Sequence, residues 1–482
     1  MTATELHTPL PLRAGPVDLS PSRWCGLANL HNLVSRPVDI ASLAAFRFLF
    51  GIITAAAMVR FVAKGWVREL YLEPAFFFSY PGLEWIRPWP GLLMYGHFIL
   101  LALFAIGVAL GWFYRVCIVL FFVGFTYVEL IDQTAYLNHY YLISLLAGLL
   151  VFLPANRAWS IDAWRKPEIR LGAAPAWTLN ILRFQIAVVY VFAGLAKLNG
   201  DWLFRAQPLR IWLAARSELP LIGHWLEQAW VAVCASWFGA AFDCSIVFLL
   251  LSRRTRKPAF VLVILFHVAT WILFNIGMFP WIMIIAATLL FPPDWPRHWL
   301  SRFCGYGGRY FRVQEWQRCM QEALTKQSPQ GALPGQLKPV VVSALLLYAV
   351  IQLALPLRSY FVSQPSAWTC SGFNCAWRVM IAEKTGYAEF YAFNPASGEH
   401  RKVSVKGYIT PRQELLMAQD PYLIQAMARR LAADLNNRGA APIQVRVVAF
   451  ATLNGRPSQL LINPDVDLAG IPPPGWIEAL AQ

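Results

Sequence analysis

The stretch VVYVFAGLAKLNGDW, Val188 to Trp202, ends a long apolar run on a primary amine, Lys197, followed by Asn199 and Asp201. An ionisable group inside a bilayer span is expensive to bury and functional by default. Burial disfavours the ammonium form, and a neutral amine can take a proton from a substrate. The competing reading is an anchor whose ammonium reaches the headgroups. Other ionisable residues within or at the edge of apolar runs are Arg47, His97, Glu129, Asp132, His139, Arg183, Asp243 and His267. A histidine on an apolar helix is either a hydrogen-bonded packing group or a proton carrier. Arg47 and Arg183 are expected to form structural ion pairs with Glu129, Asp132 or Asp243.

These groups must be positioned by membrane helices. The chain has 482 residues, 57% of them hydrophobic and only 14% charged, against roughly 25% charged in soluble domains. Apolar runs long enough to suggest spans occur at about 40–62, 91–113, 115–131, 140–154, 176–197, 229–251, 259–275, 279–292 and 339–361. Helices satisfy their own backbone amides, which lipid cannot do for them. The net charge of +15 does not indicate nucleic acid, because the basic residues gather in alternate loops. The cluster Arg253, Arg254, Arg256 and Lys257 is one example, and the segment from Arg297 to Lys338 is another. This bias predicts a cytoplasmic N-terminus and an outer C-terminus. The first twenty residues have no apolar core, so no cleaved leader is expected. The eight cysteines form no CxxC pair, and no metal site is expected.

The tail reads differently. AWRVMIAE, GYAEFYAF and RKVSVKG alternate like strands, with a turn at NPASGE. PRQELLMAQDPYLIQAMARRLAADLNN is an amphipathic helix interrupted by proline, and IQVRVVAFATL and PSQLLI add strands. Cys370 and Cys375 are close in sequence and would lie in an oxidising compartment, where a disulfide between them is expected. The predicted fold is a polytopic α-helical membrane protein of about nine spans with a C-terminal α+β extramembrane domain. Its parts are a cytoplasmic segment 1–37, a transmembrane domain 38–362 and a periplasmic or lumenal domain 363–482, with a linker at 323–338.

Several stretches together resemble the vitamin K-dependent gamma-glutamyl carboxylase family, which carries the horizontally-transferred transmembrane domain. They are RPVDIASLAAFRFLFG, FYRVCIVLFFVGFTYVELIDQTAYLNHYYL, ANRAWSID, AGLAKLNGDW and FHVATWILFNIGMF. In the tail, YITPRQELL and INPDVDLAG also resemble family segments. The resemblance implies oxidation of reduced vitamin K by O2, with the base so formed removing a γ-proton from a glutamyl residue that then adds CO2. It implies no metal. Its partners would be the lipid bilayer and a glutamyl protein or peptide.

The family's activating lysine maps onto Lys197, and a family active-cavity histidine maps onto His139. Asn138 and His267 are implied to contact the quinol. The segment WTCSGFNCAW, with Trp368, Phe373 and Trp377, matches a family stretch associated with glutamate handling. There Gly372 and two cysteines replace family residues, and Ala196 stands where the family often has a second lysine. Alternatives are a membrane quinol oxidase that does not carboxylate, and a non-enzymatic scaffold on the same helices. The first is favoured by the altered tryptophan-flanked stretch, the second only by loss of Lys197 and His139, which are both present. A transporter would require paired broken helices, which the sequence does not suggest.

Overall fold

The structure is a computed structural model that describes residues 35–274, 276–305, 339–362, 364–437, 443–472 and 476–478. The expected N-terminal cytoplasmic segment lies almost wholly outside these residues, and the expected linker at 323–338 entirely so. Helices form at each of the nine apolar runs: α1 (Ala41–Ala63), α2 (Leu92–Leu110), α3 (Tyr114–Glu129), α4 (Asn138–Phe152), α5 (Ala176–Lys197), α6 (Ala229–Leu251), α7 (Arg256–Leu273), α8 (Phe279–Ala287) and α9 (Pro339–Leu357). Six of them, α1, α2, α5, α6, α7 and α9, are long and apolar enough to cross a membrane.

The expectation of nine spans therefore holds only in part. Helices α3, α4 and α8 have 16, 15 and 9 residues. At 1.5 Å per residue, even the longest covers about 24 Å of a hydrocarbon core of about 30 Å. Their inner faces are held by protein instead: Phe121 and Phe125 of α3, Leu142 and Leu146 of α4, and Ile282 and Ala286 of α8 are all buried.

Helix α1 packs on α2, α2 on α3 and α3 on α4, while α5 packs on α6 and α6 and α8 pack on α7. The α1–α2 crossing is close because Gly51 carries no side chain: a Cβ there would lie 2.5 Å from the Ala109 nitrogen. Helix α9 is mostly exposed and leans on the bundle through polar contacts. The Tyr348 hydroxyl donates to Gln185 Oε1 at 2.6 Å, and Gln352 Nε2 donates to the Tyr141 hydroxyl at 3.4 Å.

Arg47, buried, and Arg183, half-buried, do not form the expected ion pairs. Arg47 donates to the carbonyls of Val108, Ala109 and Trp159 at 2.6–2.7 Å. Arg183 donates to those of Leu289 and Phe291, both at 2.7 Å. Each guanidinium thus takes carbonyls at a helix C-terminus, where intrahelical partners run out and the dipole favours a cation. Asp132 instead accepts from the Thr134 amide and from Gln413 Nε2, at 2.8 and 2.6 Å.

Two short strands, β1 (Pro37–Asp39) and β2 (Ala173–Pro175), pair antiparallel beside α1 and α5. The tail forms an antiparallel sheet in the order β4-β3-β5-β6, from β3 (Lys384–Phe393), β4 (His400–Val403), β5 (Gln444–Leu453) and β6 (Gln459–Ile462). Val445, Val447, Ala449, Ala451 and Leu453 alternate into the core against Ile424, Met427 and Leu431. Those last three lie on α11 (Pro421–Asn436), which follows α10 (Pro411–Met417). The expected proline interruption is the junction itself: Asp420 caps α11 by accepting from the Tyr422 amide, with Pro421 at its first position.

AWRVMIAE is not a strand. Cys375, Trp377 and Met380 have φ values of 60°, 55° and 55°, a left-handed conformation that interrupts extended backbone. Nor does the expected Cys370–Cys375 disulfide form; both thiols are free. Their partners differ: Cys370 Sγ lies 3.6 Å from the Gln419 carbonyl oxygen and 3.8 Å from Lys384 Nζ, while the Cys375 amide donates to the Tyr136 hydroxyl.

Candidate functional site

Lys197 is the last residue of α5, where Asn199 stops the helix by capping the next short one, accepting from the Trp202 amide at 3.0 Å. Three residues earlier, Gly194 meets α6 so closely that a Cβ would stand 2.9 Å from the Cys244 nitrogen. This approach brings Asp243 against the lysine. Lys197 Nζ donates to Asp243 Oδ2 at 2.7 Å, and both side chains are buried, at 7% and 8% exposure. Nζ also lies 3.3 Å from the Ala193 carbonyl oxygen and 5.2 Å from the Trp202 ring. The amine therefore points into the protein. Removing either partner would strand a buried charge, whereas the pair together is tolerated.

The pair lines a cavity of about 440 Å³ whose wall is otherwise mainly apolar: Val189, Ala193, Phe266, Phe279 and Met283 are typical. Its remaining polar groups include Tyr190, His267 and Thr270. The Tyr190 hydroxyl and His267 Nε2 are 3.0 Å apart, while His267 Nδ1 is buried without a hydrogen-bond partner. Phe238 and Leu265 of the lining are 46% and 61% exposed on the outer surfaces of α6 and α7. The cavity thus reaches the flank of the bundle between those helices.

His139 and Asn138 do not line this cavity. They line a neighbouring one of about 380 Å³, with Arg60, Tyr140 and Arg412. Ile276, Phe279, Val379 and Met380 belong to both linings. Phe279 stands between the histidines, its ring centroid 6.0 Å from each. Asn138 Oδ1 accepts from the Tyr136 hydroxyl at 3.1 Å.

The residues expected to handle substrate lie elsewhere. Trp368 is fully buried in the tail core, its Nε1 donating to the Glu478 carbonyl at 2.8 Å. Trp377 is fully buried and stacks on Tyr141 with centroids 5.2 Å apart. Phe373 packs against the cluster of Ala196 and Trp202. None of the three lines either cavity; Val379 and Met380, just beyond Trp377, do.

Sequence reasoning missed Asp243 as the lysine's partner, although it ranked among the intramembrane ionisable residues, and it missed Arg60 and Arg412 altogether. Arg60 closes the last turn of α1, and Arg412 lies in an amphipathic helix of the tail, where a charge is ordinary. Among the described residues no group of three or more His, Cys, Asp or Glu side chains could hold a metal.

Two family models match the chain. The HTTM domain covers residues 35–295, and the vitamin K-dependent gamma-carboxylase lumenal domain covers residues 337–478. No solved structure matches.

Proposed function

The chain belongs to the vitamin K-dependent gamma-carboxylase family, and on that premise we propose that it is a membrane enzyme coupling quinol oxidation to carboxylation of glutamyl side chains. In this reading reduced vitamin K and O2 yield the epoxide and water, and CO2 adds at the γ-carbon that has lost its proton. Residues 38–362 form the membrane part, and 363–482 form an outer domain in the periplasm or an organelle lumen.

The observation that carries the reading is the buried Lys197–Asp243 pair in an apolar cavity that reaches the bundle flank. Such a cavity suits a lipid-soluble quinol in size and polarity, and the unpartnered His267 Nδ1 offers a hydrogen bond to a ring oxygen. When bound, the quinol supplies the electrons for reducing O2. The protein's own task is to hold the quinol's polar end at the pair, keep water out and take up its proton.

Nζ donates to a carboxylate at 2.7 Å and does not stand alone. The simple picture of an isolated neutral amine therefore gives way to a pair acting as one unit. Nζ receives the proton from the quinol oxygen as its own moves to Asp243 Oδ2. The positive edge of Nζ then faces the oxygen as its negative charge develops. Asp243 thus joins Lys197 as a proposed catalytic group, and His267 is a proposed quinol ligand. His139 and Asn138, across Phe279, serve the neighbouring cavity.

The test is purified protein in nanodiscs with reduced vitamin K, labelled CO2 and a glutamyl peptide. Epoxide and fixed label are both expected. Epoxide with no fixed label would replace this reading with the quinol oxidase, and neither product would end it.

A further inference from the structure

We propose that the second cavity, lined by Arg60, Arg412, Asn138 and His139, is the subsite that holds the substrate's glutamyl carboxylate. The inference rests on the carboxylase reading and adds a site for its second substrate.

The cavity combines guanidinium groups from two separate parts of the chain. Arg60 comes from the end of α1, a membrane helix, and Arg412 from the first turn of α10 in the tail. Neither donates a hydrogen bond to, or forms an ion pair with, any described residue; Arg60 only lies over the Trp66 ring at 5.2 Å. Their charges converge on Tyr140, which also feels the carboxylate of Glu129. The carboxylates of Glu129 and Asp132 act on Tyr71 of the same lining. A cavity with a half-buried, unsatisfied guanidinium calls for an anionic ligand, and the planar donor fork of arginine matches a carboxylate.

Gly277 shows how close the groups are: a Cβ there would lie 3.2 Å from Arg60 Nη2 and 3.7 Å from His139 Nε2. The lack of a side chain leaves that space to a ligand that can touch both.

The position beside the first cavity gives this anion its identity. Only the side chains of Ile276, Phe279, Val379 and Met380 are common to both walls. The base generated beside Lys197 must reach a γ C–H on the far side of that partition. In a glutamyl residue the γ-carbon is bonded to the carboxyl carbon, so fixing the carboxylate also fixes the C–H bond to be broken. The guanidinium groups have a second effect. As the γ C–H breaks, its electron pair delocalises into the carboxyl group, and fixed positive charge stabilises it. The proton leaves to the base, and the electron pair forms the new C–C bond to CO2. The product then carries two carboxylates, matched by two guanidiniums.

The experiment uses the full chain in nanodiscs and a fluorescent glutamyl peptide read by anisotropy, alongside the ratio of fixed CO2 to epoxide. Arg60→Gln and Arg412→Gln should each weaken peptide binding about tenfold or more, as loss of a charge-assisted hydrogen bond implies. The ratio should fall with them. Arg412→Lys should recover part of the binding, because it restores charge without the fork. A glutaminyl peptide should not compete.

Equal binding of glutamyl and glutaminyl peptides, or unchanged binding by the Arg60→Gln/Arg412→Gln double variant, would overturn the proposal. So would displacement of the peptide by bicarbonate alone at similar concentration, which would mark a site for inorganic anions. Anisotropy needs no turnover. Selective peptide binding without product formation would keep the subsite and sink the carboxylase reading; product formation with unselective binding would do the reverse.

Discussion

At the residue scale the informative pair is Lys197 and Asp243. As a membrane anchor, Lys197 would accept arginine with little loss. In the proposed pair, Lys197→Arg should abolish epoxide formation, since guanidinium does not give up its proton. Wild-type turnover by that variant would refute the role of Nζ. Lys197→Ala alone leaves Asp243 buried and unpaired, at a cost of about 3–5 kcal/mol, so a folding control is needed. Lys197→Ala/Asp243→Asn should recover thermal stability lost by Lys197→Ala while remaining inactive. Stability restored together with activity would show the pair to be structural only. Raising the pH should partly rescue any correctly folded lysine variant, because more quinol then ionises unaided. The second residue-scale case is Cys370. Burial, with Asp420 nearby, pushes its thiol up to about 12, so at neutral pH the thiol keeps its proton and is a poor nucleophile. Cys370 should resist iodoacetamide in the folded protein and react after denaturation. Intact mass should show no loss of two hydrogens between Cys370 and Cys375.

At the element scale, helix crossings and helix ends set the geometry of the site. Gly194 lets α5 and α6 meet next to the ion pair, and Gly51 does the same for α1 and α2. Gly51→Leu would place a side chain against the backbone of α2 at Ala105 and Ala109. A loss of about 1–3 kcal/mol is expected, read as a lower melting temperature in detergent. An unchanged melting temperature would mean that the crossing yields easily. Arg47→Met tests the helix-end role. It leaves three carbonyls without their donor, at about 1–3 kcal/mol for each that water cannot reach. Restoration by Arg47→Lys should be only partial, since a single ammonium cannot copy the planar geometry.

At the scale of the whole molecule, the tail is joined to the helical part by specific polar contacts. Arg456 makes a two-pronged bond to Asp201 at 2.7 and 2.8 Å, and Gln413 Nε2 reaches the Phe76 carbonyl at 3.0 Å. The tail also supplies Val379 and Met380 to both cavities. Asn454 and Arg456 of the tail line a cavity with Ala229 and Val233 at the start of α6, whereas the Arg253–Lys257 cluster follows its other end, about 35 Å further along a helix of 23 residues. The tail and the basic cluster therefore lie at opposite ends of α6. The positive-inside bias predicts that the cluster is cytoplasmic and the tail outside. A cysteine placed at Ala396, in an exposed turn, should be labelled by an impermeant reagent from outside, and one at Arg254 only after permeabilisation. The reverse pattern would invert the topology.

The sequence by itself determined the apolar runs, and the structure has a helix at each of the nine. It also determined the family, because Lys197, His139 and His267 stand in recognisable local stretches. The tail's strands at GYAEFYAF and IQVRVVAFATL were legible for the same reason: alternation is a local property, and backbone hydrogen bonding follows it. Tertiary structure decided which residues meet. Asp243 is 46 positions from Lys197, and no periodicity distinguishes it from a partner of Arg47 or Arg183. Those arginines found helix-end carbonyls, an acceptor that side-chain identity does not reveal. AWRVMIAE has the composition of a strand, yet its backbone turns left-handed where it closes the cavity wall. The division of the site into two cavities, with Phe279 between His139 and His267, arises from the packing of α4, α7 and α8 with the segment before β3. Spacing along the chain carries no information about such a partition, because it depends on the distances between helices and not on the order of residues within them.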